Sequence, residues 1–488
     1  MATKRITEQR QAVVLIHGMG EQHPLDTIRA FLRGTHPPGA RFFSWPQRLG
    51  GNTELRRFSR RHPETEFKTD YFEFYWAHHL QAGSARYALV WALKNAFRTP
   101  PEKEDRALLR SLNILRALLI VFLLLAVAIG GCLWLIYRNP DPITGWQLAA
   151  SIILTVAALA LTALLLLAWK FLAGQLADAA RYLTPDPANI EARNAIRNEG
   201  LELLRHIHDS GVYNRVIVVG HSLGSVIGFD ILRLAWDELR HPEAPSVVPD
   251  TLAREFTRTA LELPANPTPE EIGVWQQTQH ALWVESRRRT MRWLVTDFIT
   301  LGSPLAHASF LLDDDPKQFR ERLLEREYPT SPPDVDTTAT GEIRDIFYTE
   351  QYEADGVVFE SLVAHHGAMF AVTRWTNGYF PVKGLTGDPI GGPIAEEFGR
   401  GIRDVAIRLT SDNTKLLQDL IVWPHLKYWA AELDPARHST DPEVLAQRRR
   451  CDLETGTRVA HEALREFLRL DQVPPDPEVA VDVTAPFA

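Results

Sequence analysis

The sequence predicts an α/β protein built on a mostly parallel, doubly wound sheet, and three observations carry that prediction. Short continuous apolar runs, such as residues 12–16 (AVVLI) and 216–219 (VIVV), read as strands buried on both faces. Segments with helical spacing separate these runs, the order that a parallel sheet requires. The second run leads straight into Gly220-His221-Ser222-Leu223-Gly224 and then into an apolar helical pattern. That is G-x-S-x-G in a strand, sharp turn and helix, where the glycines leave room for a strained serine between them.

Length and composition bound the rest. A chain of 488 residues fits one large domain with insertions, or two to three domains. The net charge of -8 carries no basic excess, which argues against a nucleic-acid partner. Two distant cysteines, Cys132 and Cys451, make neither a disulfide scaffold nor a thiolate metal site. The run at 12–16 is too short for a signal peptide and ends in a glycine turn rather than a cleavage site.

Taken in order, the first strand ends at His17-Gly18-Met19-Gly20, a glycine turn whose backbone can aim its N–H groups at a developing negative charge. Residues 36–70, rich in Pro, Gly, Arg and aromatics, read as loop with a short helix. Residues 71–76 (YFEFYW) read as a second strand with Glu73 on one face, followed by His78 and His79. Runs at 117–137 and 146–169 then lack any charged residue. Each is long enough to cross a hydrocarbon core of ~30 Å as a helix, and the short link between them holds two prolines. The sequence therefore predicts a transmembrane hairpin within 111–172 that anchors the chain in a lipid bilayer. Basic residues on both flanks, among them Arg110, Arg116 and Lys170, put the catalytic portion and both termini in the cytoplasm.

Beyond the hairpin, residues 189–208 read as a helix delivering the chain to the strand at 216–219. A helix follows Ser222 to about Arg240. Residues 241–290 lack strand character and form a candidate cap. The stretches 293–301 (WLVTDFITL), 370–376 (FAVTRWT) and 405–409 (VAIRL) read as further strands, and 312–356 as a surface insertion. A charged helix is expected over 441–470, before a loose tail. The α/β domain thus comprises 1–110 and 185–430, with 431–488 as a C-terminal extension.

A serine hydroxyl needs a base to become a nucleophile, and the base needs an orienting carboxylate. In a strand-turn-helix serine fold the order is Ser, acid, His, each on a loop after a strand. Asp388 sits in such a glycine- and proline-rich loop, with Asp404 and Asp412 as competitors. His425, within WPHLKYW, is the base best surrounded by aromatic side chains, with His438 and His461 as alternatives. His365 and His366 precede the acid and break the order. The amides of Met19 and Leu223 are the candidate oxyanion donors, supported by His17, Gly18, Gly20, Gly220, His221 and Gly224.

IHGMGEQ, VIVVGHSLGS, FITLGSPL, RWTNGYF with GDPIGG, and PHLKYW together resemble the α/β-hydrolase superfamily, nearest its lipase and serine-esterase branch. The resemblance covers about residues 10–110 and 185–430. It implies an α/β-hydrolase fold with a Ser222–His425–Asp388 triad that cleaves carboxylic esters without a metal or organic cofactor. The predicted anchor points toward lipid esters. An acyltransferase with the same triad, or a membrane scaffold that keeps the fold without turnover, are the alternatives.

Overall fold

The computed structural model describes residues 10–19, 23–47, 55–62, 67–80, scattered positions between 90 and 138, 151–163, 177–241, 250–289, 291–313, 315–335, 346–354, 356–382, 386–410, 424–434, 436–437 and 439–472. Its contacts divide the chain into two compact units, Met1–Gly18 with Gln22–Trp76 and Arg193–Ala488, and Met19–Glu21 with Ala77–Ala192.

The first unit is mixed α/β, with a mostly parallel nine-stranded sheet. Its strands are β1 (Arg10–Ile16), β2 (Phe43–Pro46), β3 (Arg56–Arg61), β4 (Lys68–Phe74), β5 (Arg215–His221), β6 (Val295–Leu301), β9 (Arg374–Tyr379), β10 (Arg403–Arg408) and β11 (Arg458–Val459). They lie in the order β11-β10-β9-β6-β5-β1-β4-β3-β2. All neighbours from β11 to β4 pair in parallel, whereas β4–β3 and β3–β2 are antiparallel. A separate hairpin, β7 (Phe347–Ala354) and β8 (Val357–Ala364), continues the insertion expected at 312–356.

Burial explains the central strands. Every residue of β5 and β6 is buried, as continuous apolar runs require when helices cover both faces. On one face Val13, Leu15, Ile217, Val219, Ile299 and Leu301 join a cluster with α1 (Asp26–Thr35) and a C-terminal helix, Ala460–Leu468. On the other lies the helix that follows Ser222, Leu223–Leu239, where Gly228 comes close to Ile16 and Phe298. A helix over Pro269–Arg288, opened by a capping box of Thr268 and Glu271, covers the same sheet near β9. Its Gln276 donates to Trp375 O at 3.2 Å and its Gln279 to Thr373 O at 3.1 Å. With Trp275 and Trp283 buried, residues 269–288 form part of the helical layer.

Three expectations differ from the structure. Residues 36–70 hold the outer strands β2 (FSWP), exposed throughout, and β3 (RRFSRR), rich in arginine, so neither shows an apolar two-residue alternation. The single helix expected over 441–470 is two, Pro442–Thr455 and Ala460–Leu468, split where Gly456 adopts φ 62°. The third correction concerns the membrane. No helix among the described residues is long and apolar enough to cross a bilayer. This contradicts the expected integral-membrane location with two spanning helices, 117–137 and 146–169, that would hold the catalytic domain on the cytoplasmic face. Much of those two runs, Cys132 included, falls outside the described residues. An uncharged run is a property of composition, whereas spanning needs one helix that is both ~20 residues long and apolar throughout.

The second unit contains a short turn of helix at Ala77–His79, which carries His78 and His79, and the helix Ala177–Leu183.

Candidate active site

Parallel pairing brings the C-terminal ends of β1, β5, β6 and β9 to one edge of the sheet. From β1 the chain continues to β4 on one side, and from β5 to β6 and β9 on the other. The β1/β5 boundary is therefore the switch point of the sheet, the position at which open α/β sheets carry their ligand sites. Gly18 leaves β1 and Ser222 leaves β5 at this place.

Ser222 occupies φ 51° and ψ -129°, an uncommon conformation for a residue with a side chain. The turn holds it there through close backbone approaches. A Cβ on Gly220 would lie 2.5 Å from Ser225 Cα, and one on Gly224 would lie 2.3 Å from both Ile16 O and His17 O. A Cβ on Gly18 would lie 2.9 Å from Ser222 Cβ. The glycines around the serine are thus required by contact as well as by turn geometry. Gly224→Ala is expected to destabilise the protein by ~1–3 kcal/mol, since two backbone carbonyls cannot move aside as a side chain would. Thermal melting checks this, and a wild-type melting temperature would remove the close-packing argument.

The structure brings Ser222, His425 and Asp388 together across 203 and 37 residues of sequence separation. His425 Nε2 lies 2.9 Å from Ser222 Oγ, and His425 Nδ1 lies 2.8 Å from Asp388 Oδ2. Asp388 also accepts from the Tyr428 hydroxyl at 2.7 Å and from the Ile390 amide at 3.0 Å. Burial alone would raise the pKa of this carboxyl, but His425, Tyr428 and the Ile390 amide together hold it below the ordinary carboxylate value. The acid therefore stays ionised beside the imidazole.

The competing residues have other partners or positions. Asp404 accepts from the Asn377 side chain at 2.7 Å and from the amides of Ile394 and Ala395, so it ties down the start of a short helix at Ala395–Phe398. Its pKa is pushed up to about 6, chiefly by burial. His461 is buried on the C-terminal helix near Asp434, and His365 bonds the Asp334 carbonyl. Asp412 and His438 fall outside the described residues, as does Gly20.

The supporting residues act through the backbone. His17 stacks on Trp76 with ring centroids 4.9 Å apart, and Trp76 Nε1 donates to His17 O at 2.9 Å. This fixes the end of β1 beside Gly18. His221 Nε2 lies 2.8 Å from the His425 carbonyl, which makes Nε2–H the donor and anchors the backbone of the histidine loop. Leu223 is the first residue of its helix, so its amide has no intrahelical acceptor and points out of the helix start. Met19 belongs to the second unit.

Two partners escaped the sequence reading. Tyr428 was visible only as one aromatic in HLKYW. Gly302, at φ 56°, lies so close that a Cβ there would be 2.8 Å from Asp388 Oδ2 and 2.6 Å from a Tyr428 ring carbon. The glycine in TLGSP, directly after a buried strand, was the available signal.

Burial also makes His221 and His36 sensitive to acid. Desolvation, followed by the neighbouring His425 charge, lowers His221 to about 3. Desolvation, then Arg60 and Arg465, lowers His36 to about 3. The unfolded chain protonates such groups near 6.5 while the folded chain does not, so the unfolded state binds more protons and stability falls as the pH is lowered. Each is expected to remove up to ~1.4 kcal/mol per pH unit between about pH 6 and pH 4. Urea midpoints of the wild type and His36→Gln at pH 7, 6 and 5 check this for His36, and the same pH dependence in both proteins would contradict it.

No protein-family model matches the chain, and neither a curated protein nor a solved structure matches it. The α/β class and the side-chain geometry thus stand as the basis for function.

Proposed function

We propose that the protein is a serine hydrolase of carboxylic esters with an α/β-hydrolase type of architecture. The observation that carries this reading is the continuous hydrogen-bonded line from Asp388 through His425 to Ser222. His425 Nε2 takes the Ser222 proton as Oγ attacks the ester carbonyl, forming a tetrahedral intermediate. Asp388 fixes the ring by accepting from Nδ1 and stabilises the imidazolium. The amide of Leu223, at the positive end of its helix, supports the negative oxygen. Collapse breaks the ester C–O bond, and the imidazolium returns its proton to the leaving alkoxide. Water then attacks the acyl-serine, giving its proton to His425, and the carboxylic acid departs as Ser222 recovers a proton.

The near-complete burial of all three side chains favours this chemistry, because a dry site strengthens each electrostatic contact. The case for a lipid ester rested on the predicted anchor and falls with it, so the acyl and alcohol groups are left to substrate profiling. The deciding experiment is labelling with a fluorophosphonate probe. Wild-type protein is expected to label at Ser222 and Ser222→Ala not to label. Absence of Ser222-dependent labelling in folded protein would refute the proposal.

A further inference from the structure

A cavity of about 690 Å³ lies on the α1 side of the loop that carries His425 and Tyr428. Helix α1, residues 36–42 and residues 426–432 form most of its wall, and none of the triad residues lines it. Its volume is in the usual range for small-molecule sites. The helix and the loop are closely packed, since a Cβ on Gly34 would meet the Trp429 carbonyl at 1.9 Å and Phe31 lies edge-on to Trp429 at 6.1 Å. The pocket is therefore bounded by fixed structure.

The lining has two characters. Leu32, Phe42, Phe58 and Trp429 supply apolar surface. Arg29, Arg33, Lys427 and Arg437 supply positive charge, against the single carboxylate of Glu432. Arg33 and Lys427 show no ion pair among the described residues. Two further cations add to the field. Arg60 lies over the Phe42 ring, and Arg465 donates to Thr35 O at 2.9 Å while its buried Nη2 has no hydrogen-bond partner.

We propose that this cavity is a second ligand site, which takes a fatty carboxylate. Arginine presents paired N–H donors that match a carboxylate, and the aromatic walls accept an alkyl chain. Arg33 and Lys427 hold the carboxylate at the rim, with the chain directed over Trp429, Phe42 and Phe58. The inference rests on the cavity alone and is independent of the proposed hydrolysis.

The test uses full-length Ser222→Ala protein, so that turnover plays no part. Sodium decanoate below its micellar concentration, with 1-decanol as the neutral probe of equal chain length, is titrated calorimetrically. Decanoate is expected to bind saturably at one site and decanol at least about tenfold more weakly. The doubly substituted Arg33→Glu/Lys427→Glu protein is expected to lose affinity by about tenfold or more. Ala30→Trp, which fills the cavity without changing charge, is expected to abolish binding and serves as the second variant if the first does not fold. No saturable binding of decanoate, equal binding of decanol, or affinity unchanged by either variant would overturn the proposal.

Discussion

Asp388→Asn is expected to lower kcat on an activated ester by about 10⁴-fold while KM changes little. The substitution keeps the shape of the acid, so the loop is retained, but the amide cannot hold the imidazole with Nδ1–H facing it. Oδ2 accepts from Nδ1 at 2.8 Å and from the Tyr428 hydroxyl at 2.7 Å while Oδ1 accepts from the Ile390 amide at 3.0 Å, so an amide, with one oxygen and one NH2 group, must set a donor against a donor on one side. Ser222→Ala is expected to abolish the same activity to within the residual contributed by binding and the oxyanion donors. Steady-state kinetics on folded variants check both. Retention of more than about a tenth of kcat in Asp388→Asn would remove Asp388 from the triad, with Asp404→Asn as the comparison.

The second large effect concerns stability. Asp297, inside β6, receives Arg215 Nη2 at 2.6 Å, Arg374 Nη2 at 2.8 Å and Arg469 Nη1 at 3.3 Å. Burial by itself would raise its pKa, yet the guanidinium groups of Arg374, Arg215 and Arg469 hold it far below the ordinary carboxylate range. Removing this one carboxylate leaves three arginines packed together, one of them fully buried. Asp297→Ala is expected to cost about 3–5 kcal/mol, read from urea unfolding, because the cost of burying the arginine charges is no longer offset. Asp237→Ala, at an exposed helix position, is expected to change stability by less than about 0.5 kcal/mol. Comparable effects in the two variants would contradict a structural role for the cluster. A lowered folded pKa means that the contribution is present above the unfolded value of ~3.9 and is lost on acidification through the folded one.

The cluster also shows why some of the structure was not legible. Arg215 sits at the start of a strand whose apolar residues announce it, but nothing near Arg215 in sequence indicates that its charge is buried. Its partner Asp297 lies 82 residues away, and the carbonyls of Leu468, Arg469 and Gln472, which also accept from it, lie more than 250 away. The C-terminal extension, read as a charged helix and tail, is tied to the sheet by these bonds and by Leu464, Phe467 and Leu468 in the core. The central strands were legible because burial on both faces leaves a composition that no loop shares. The edge strands were not, since β3 (RRFSRR) buries only two of its six residues.

The sequence alone determined the α/β class, the serine turn and three residues in a workable order. Those features depend on local rules of apolar runs, glycine spacing and chain order, which are carried by neighbouring residues. Only the tertiary structure decided that Asp388, rather than Asp404, faces His425, that Tyr428 and Gly302 enclose that carboxylate, and that no described helix is both long and apolar enough to span a bilayer. Each of these depends on which distant groups meet in space or on the continuity of a helix, and no window of sequence contains that information.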